Sequence, residues 1–230
     1  MHQIPRELVR AASERLGLRA AVETGTYLGD TAAWLRGLFR QVWSIELSEE
    51  LHKMALDKYG EIEGLTFVQG SSAETLPAIL TQIGEPALFW LDGHFSSGTI
   101  IPTGGADKQC PVLEEIESID DHAFSGTSVI LIDDARLFLG PPPPPYRRED
   151  WPTFLSLLNA LRARFPRYVT VLGDVIIAGP PEIQPLVDEY WLDVLRRGED
   201  ARQLLIDAEN PNPVVAAKRL IKSVIGRQKS

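Results

Sequence analysis

A chain of 230 residues is long enough for one fully formed domain with an appendage. Its 44% hydrophobic content, mean hydropathy of -0.07 and formal net charge of -9 describe a water-soluble surface that repels phosphate backbones, which disfavours a nucleic-acid partner. The single cysteine, Cys110, excludes an internal disulfide and a thiolate zinc cluster.

No apolar run has the length of a signal peptide or a membrane span, so the expected compartment is the cytoplasm, without a membrane partner. Residues 5–17 place Leu8, Val9, Ala12 and Leu16 on one helical face, with Pro5 suited to a first turn and Gly17 to a stop. Short apolar runs then alternate with helical patterns. The runs are AAVET (20–24), VWSIE (42–46), LTFV (65–68), ALFWLD (87–92) and SVILID (128–133). The helical patterns fall at about 30–40, 48–59, 74–83 and 111–124. Strands that are apolar on both faces and separated by helices predict an α/β protein with a doubly wound parallel sheet.

After the fifth run the pattern changes. GPPPPPYRRED (140–150) fits neither helix nor central strand, and its five consecutive prolines favour polyproline II. A helix is expected over about 151–164, then two short strands within 168–179 hinged at Gly173-Asp174. Helices follow at about 182–196, 199–208 and 213–226. The expected division is a main domain over 1–180 and a helical extension over 181–230.

In such a sheet, ligands bind beyond the carboxyl ends of the strands, and the first strand-to-helix turn is the usual cradle. Here it reads VETGTYLGDT, residues 22–31. Gly25 lets the backbone turn without a Cβ, and Gly29 lets a ligand or the helix come close. A dinucleotide fingerprint needs G-x-G-x-x-G. Tyr27 stands at its middle glycine and Asp30 at its last, so a pyrophosphate is obstructed, and Glu23 and Asp30 add repulsive charge. A ligand with a positive centre fits better. Glu23 ends the first strand, where it can face an amino or sulfonium group. Glu46 ends the second, 21 residues beyond Gly25, where an acid accepts hydrogen bonds from ribose hydroxyls.

These segments resemble those of class I S-adenosylmethionine-dependent methyltransferases. VETGTYLGDT resembles their E/D-x-G-x-x-x-G signature, and WSIELSEEL (43–51) their acidic second-strand end. FVQGSSAETLP (67–77) and LFWLDGHFSSG (88–98) resemble their third- and fourth-strand segments. Together with LIDDAR (131–136), the set more narrowly resembles a group of bacterial stand-alone methyltransferases, over roughly residues 18–180. The resemblance implies a mostly parallel, seven-stranded, Rossmann-like sheet with a C-terminal helical tail, and S-adenosylmethionine as cofactor. The cofactor site it implies comprises Glu23, Thr24, Gly25, Thr26, Tyr27, Gly29, Glu46, Leu47, Gly70, Ser71, Ser72 and Asp92. The family often carries an acid at the third-strand turn, where this chain has Ser71-Ser72.

Asp92 ends the fourth run, and Asp133 and Asp134 end the fifth. Neighbouring strand ends lie about 5 Å apart, so the three carboxylates converge and, uncompensated, raise at least one pKa. A divalent cation is the simplest compensation, and oxygen ligands alone suit magnesium, manganese or calcium. Capping of the next turn by Asp133 or Asp134 is the alternative. The three positions resemble those of catechol-type metal-dependent O-methyltransferases, although Phe95 stands where those enzymes have lysine. His94, two residues after Asp92, is expected as the base for a hydroxyl proton, with metal ligation and a structural hydrogen bond as alternatives. Arg136 is expected in a surface ion pair or on an anionic substrate group. Residues 95–110 have the length and small side chains of a lid. Cys110, at a helix start, is expected to have a lowered pKa and no part in the chemistry.

The expected activity is O-methylation of a small molecule, with a sugar or polyketide-like hydroxyl as acceptor. A nicotinamide-dependent oxidoreductase and a non-catalytic binding or scaffold protein are the competing readings. Trp191 and leucine-rich C-terminal helical faces suggest a homodimer.

Overall fold

A computed structural model of the chain describes residues 4–96 and 108–209. Each of the five apolar runs forms a strand: β1 (Ala20–Thr24), β2 (Gln41–Glu46), β3 (Leu65–Gln69), β4 (Ala87–Leu91) and β5 (Val129–Ile132). Strands β1, β4 and β5 are buried along their whole length, as continuous apolar runs require. The next two runs form a hairpin, β6 (Tyr168–Leu172) and β7 (Val175–Gly179). Gly173 sits at its tip with φ +59, a value that a two-residue connection demands and that glycine adopts freely.

The sheet order is β3-β2-β1-β4-β5-β7-β6. Every pairing is parallel except the two made by β7. This is the expected doubly wound, mostly parallel, seven-stranded sheet, and its order reverses between β1 and β4. The helices are α1 (Arg6–Arg15), α2 (Asp30–Arg36), α3 (Glu49–Tyr59), α4 (Ser72–Leu80), α5 (Val112–Asp121), α6 (Arg136–Leu139) and α7 (Phe154–Arg162). Right-handed crossovers on opposite sides of the reversal put α2 and α3 on one face, and α4, α5 and α7 on the other. On that second face α5 packs against both α4 and α7. Val22, Ile45, Phe89, Ile130 and Ile176 of the sheet meet Leu76, Ile116 and Leu157 of these helices in one apolar cluster.

Three local expectations change. The proline run does not continue as an extended polyproline stretch. It turns between Pro143 and Tyr146, whose N–H donates to the Pro143 carbonyl (3.0 Å), and the Pro144-Pro145 peptide is cis. Tyr146 is the first residue after the run with an N–H able to close a turn. The helix after the run starts at Phe154 rather than 151, because Thr153 caps it by accepting from the Ser156 N–H (3.2 Å). The segments expected at 182–196 and 199–208 are one helix, α8 (Gln184–Glu209). Gly198 costs a helix interior only about 1 kcal/mol relative to alanine, too little to stop it.

The chain divides into two compact units, Met1–Leu186, which holds the sheet, and Val187–Ser230. No described helix is long and apolar enough to cross a membrane. The helix expected at 213–226 and most of the expected lid lie outside the described residues.

Candidate active site

Strand β1 ends where Gly25 leaves the extended region, at φ +86. A Cβ on Gly25 would lie 2.2 Å from the Asp92 carbonyl oxygen, so both the dihedral and the close approach of the β4 end demand glycine. Gly29 shares the left-handed φ, at +80, but is crowded from another side. A Cβ there would meet Tyr59, Ala55 and Phe67 at 3.1–3.3 Å, so α3 and β3, rather than a ligand, approach it.

Glu23 is only 1% exposed. Ser44, its register partner on β2, donates to Glu23 Oε2 (2.5 Å), and Thr26 Oγ1 lies 2.6 Å from the same serine hydroxyl. Burial pushes the Glu23 carboxyl up to about 8; the Ser44 hydrogen bond opposes this, and the charges of Asp92 and Glu46 add to it. A carboxyl raised by burial, with no cation beside it among the described residues, suits a ligand that brings one.

Glu46, also buried, latches the turn to β2. Its Oε2 accepts from the Tyr27 N–H and its Oε1 from the Ser48 N–H, each at 2.9 Å. Burial raises its pKa against the pull of these backbone donors. A carboxylate has about four acceptor sites, so ribose hydroxyls still find room on Glu46. Leu47 beside it is exposed. Tyr27 has φ +49, uncommon for an aromatic residue, and its bond to Glu46 fixes that geometry. Strand β3 passes through Gly70 (φ +144) and Ser71 into α4, with Ser72 buried. Asp30, expected to repel phosphate, is paired instead. Lys58 Nζ (2.7 Å) and the Tyr59 hydroxyl (2.5 Å) donate to it and hold its carboxyl below the usual range.

Across the reversal, β4 and β5 deliver the expected acidic residues just beyond their last paired positions. His94 is buried, with Nε2 3.0 Å from Asp134 Oδ2 and 3.8 Å from Asp92 Oδ1. Its ring meets Trp151 and Phe138 edge-on, at 5.2 and 6.2 Å between centroids. Burial alone would lower the His94 pKa. The Asp134 hydrogen bond and the charges of Asp92, Asp134 and Asp133 outweigh burial and raise it. Burial would likewise raise Asp134, but His94 and Arg136 hold it down, at about 2. Asp92 is pushed upward by burial and by Asp133, Asp134 and Glu115, against the pull of His94.

The metal set changes. Asp133, Asp134 and Asp174 bring oxygens within 4.8 Å of one another, whereas Asp92 is not of that group. Arg136 already bridges two of the three. Its guanidinium lies 2.6 Å from Asp134 Oδ1 and contacts Asp174, while its backbone N–H donates to Asp174 Oδ1 (2.8 Å). That guanidinium supplies the compensating charge, so the donors as arranged do not fit magnesium or another divalent cation. Cys110 also departs from expectation. It is 1% exposed, and burial pushes its thiol up to about 12, so desolvation overrides the helix start.

Sequence reasoning missed Ser44, Glu115, Asp174 and Trp151. Ser44 is the one hydroxyl in an apolar strand, a signal that becomes readable only once β2 is in register with β1. Asp174 was read only as a hairpin residue. Glu115 stands on α5, 1% exposed, with its Oε1 lacking a hydrogen-bond partner; burial raises its pKa, and the Ser72 and Thr24 hydroxyls oppose that rise.

A sheet ordered 3-2-1-4-5-7-6 with an antiparallel β7 is the class I, Rossmann-like methyltransferase fold. Solved structures share it. The chain is similar to the S-adenosylhomocysteine-bound methyltransferase PaMTH1 of Podospora anserina, at 20% identity and a TM-score of 0.53 over 78% of this chain and 79% of that one. It is similar too to a Staphylococcus aureus protein given provisionally as a caffeoyl-CoA O-methyltransferase, at 10% identity and a TM-score of 0.53 over 78% and 84%. No family model and no curated protein sequence matches the chain.

Proposed function

We propose that the chain is an S-adenosylmethionine-dependent methyltransferase acting on a hydroxyl of a small molecule. The observation that carries this reading is the acidic cradle at the ends of β1 and β2, where Glu23 is buried without a cation and Glu46 pins the turn. Such a cradle refuses a pyrophosphate and welcomes a phosphate-free, positively charged cofactor. In this reading Glu23, Thr24, Gly25, Thr26 and Tyr27 hold the methionine part while Gly29 lets α3 and β3 close behind the turn, Glu46 and Leu47 hold the ribose, and Gly70, Ser71, Ser72 and Asp92 the remaining edge. When bound, the cofactor supplies a methyl group on a positively charged sulfur.

The residues across the reversal handle the proton. His94 accepts it from the acceptor hydroxyl at an imidazole nitrogen. Asp134 orients the ring through Nε2 and stabilises the imidazolium that results. Trp151 and Phe138 pack against the ring and exclude water from it. Holding acceptor oxygen and methyl group at attack distance supplies much of the rate. A sugar or polyketide-like hydroxyl suits this chemistry, and the net charge of -9 weighs against a nucleic-acid acceptor. Exposed Trp191, Leu192 and Leu195 support self-association through α8.

The test is thermal unfolding with S-adenosylhomocysteine, with NAD as control, each with and without magnesium. At about 100 times its dissociation constant the ligand adds roughly 2.7 kcal/mol, a shift of several degrees. The expected result is a shift with S-adenosylhomocysteine alone, unchanged by magnesium. Absence of that shift at saturating ligand overturns the reading.

A further inference from the structure

A buried amide joins the two stretches of chain that surround His94. Gln109, just before α5, is only 7% exposed, and the proposed chemistry gives it no part. Its Oε1 accepts from the Arg147 N–H at 2.6 Å and from the Trp151 indole N–H at 3.3 Å. Its Nε2 donates to the Pro145 carbonyl at 3.5 Å. Two donors on one end and an acceptor on the other fix which way the amide faces. The backbone is tied as well. The Gln109 N–H donates to Asp150 Oδ2 at 3.1 Å, and the Gln109 carbonyl accepts from the Phe95 N–H at 2.8 Å.

The prolines explain why these partners matter. Residues 141–145 carry no N–H, so the run is anchored only through its carbonyls and the first amides beyond it. Tyr146 donates its N–H back to Pro143, which leaves Arg147 as the first residue whose N–H can tie the run to another segment. Gln109 takes both the Pro145 carbonyl and that N–H. The segment it anchors ends at Trp151, 6% exposed, whose ring lies 5.2 Å from that of His94. Tyr146 completes the arc, with its ring 5.7 Å from Phe95 and 5.5 Å from Trp151. A buried indole N–H needs an acceptor, and Gln109 Oε1 is that acceptor. The chain just after His94 and the ring against His94 therefore lead to the same residue. Resting on the methyltransferase reading, we infer that Gln109 is a positioning residue for the proton transfer, holding the Trp151 ring against His94 through Oε1 and the chain beyond His94 through its backbone carbonyl.

The experiment reads the nuclear Overhauser contact between the ring protons of His94 and Trp151. It compares the parent with Gln109→Met, Gln109→Asn and Gln109→Glu, at one pH and at a temperature where circular dichroism shows each folded. The parent is expected to show the contact, and its absence there overturns the inference. Gln109→Met removes the acceptor at similar volume, and Gln109→Asn retracts it by one methylene, so both should lose the contact. The asparagine variant keeps the test decisive if the methionine variant fails to fold. Gln109→Glu keeps Oε1 and should keep the contact. Calorimetric titration should show every folded variant binding S-adenosylhomocysteine within about threefold of the parent, because the cofactor cradle lies across the reversal. A residue that merely stabilised its loop would lower the melting temperature and leave the two rings in contact in the folded protein. That result in Gln109→Met or Gln109→Asn overturns the inference while the methyltransferase reading stands. Loss of the contact in Gln109→Glu overturns it too, since the acceptor oxygen would not then be what holds the indole. So does a loss of about tenfold or more in S-adenosylhomocysteine affinity, which would place Gln109 with the cofactor instead. A parent that binds no S-adenosylhomocysteine removes the methyltransferase reading, and with it this role, whatever the ring contact shows.

Discussion

At the scale of single residues, Gly25 of the first turn and Gly173 of the β6–β7 hairpin separate conformation from space. Gly25 needs a positive φ and has a backbone oxygen where its Cβ would go, so Gly25→Ala should destabilise by about 3 kcal/mol or more in urea denaturation. Gly173 has the positive φ but nothing within 4 Å of a Cβ. Gly173→Ala should therefore cost only the left-handed strain, about 1–2 kcal/mol. Glu23 gives a second residue-scale prediction. Its carboxyl sits near 8 in the absence of a cation. A ligand ammonium beside it favours the ionised form, so binding of S-adenosylhomocysteine at neutral pH should release most of one proton and tighten as pH rises toward 8. Calorimetry in buffers of different ionisation enthalpy reads the proton count, and Glu23→Gln should abolish it.

Among elements, one buried cation ties α5 to the chain around α7 and β6. Arg167 Nη2 donates to Asp120 Oδ1 and to Ser125 Oγ, both at 2.6 Å, and its Nη1 to the Leu161 carbonyl at 2.8 Å. Arg167→Met would strand the Asp120 carboxylate in the interior at a cost of about 3–5 kcal/mol. Adding Asp120→Asn should recover part of that loss, and paired denaturation curves measure it. The alternation of strands and helices was legible because each apolar run is bounded by polar or glycine residues. The helix ends were less so. Thr153 and Ser48 set their helices by single capping hydrogen bonds, which periodicity does not report. The same limit hid the turn inside the proline run, since its closure depends on where the first N–H falls.

For the whole molecule, the His94–Asp134 pair links catalysis, stability and pH. The carboxylates around His94 raise its pKa above the ordinary value, so it accepts a proton only above that raised value. Turnover should therefore climb as pH rises through it. His94→Gln should lose about 10²- to 10⁴-fold in turnover and retain S-adenosylhomocysteine binding. Stability follows the opposite sense. The His94 contribution is fully present below its unfolded value of 6.5 and fades as pH rises through the folded one. The Asp134 contribution is present above 3.8 and fades as pH falls toward about 2. The pair should thus stabilise most between about pH 4 and 6.5. Melting temperatures of parent and Asp134→Asn across that range check it, with their difference largest inside the window.

The sequence alone determined the sheet type, the turn with Glu23, Gly25 and Gly29, and the placement of Asp92, His94, Asp133 and Asp134 at strand ends. It could do so because a strand end and its following glycine are local features, written in consecutive residues. Only the tertiary structure decided which charges face one another. Asp174 joined Asp133 and Asp134 because an antiparallel β7 carries the hairpin back against the end of β5. Arg136 became the counter-charge there, and Ser44 the donor to Glu23. Each of these depends on strand order and register, which bring together residues tens of positions apart and leave no trace in the neighbouring sequence.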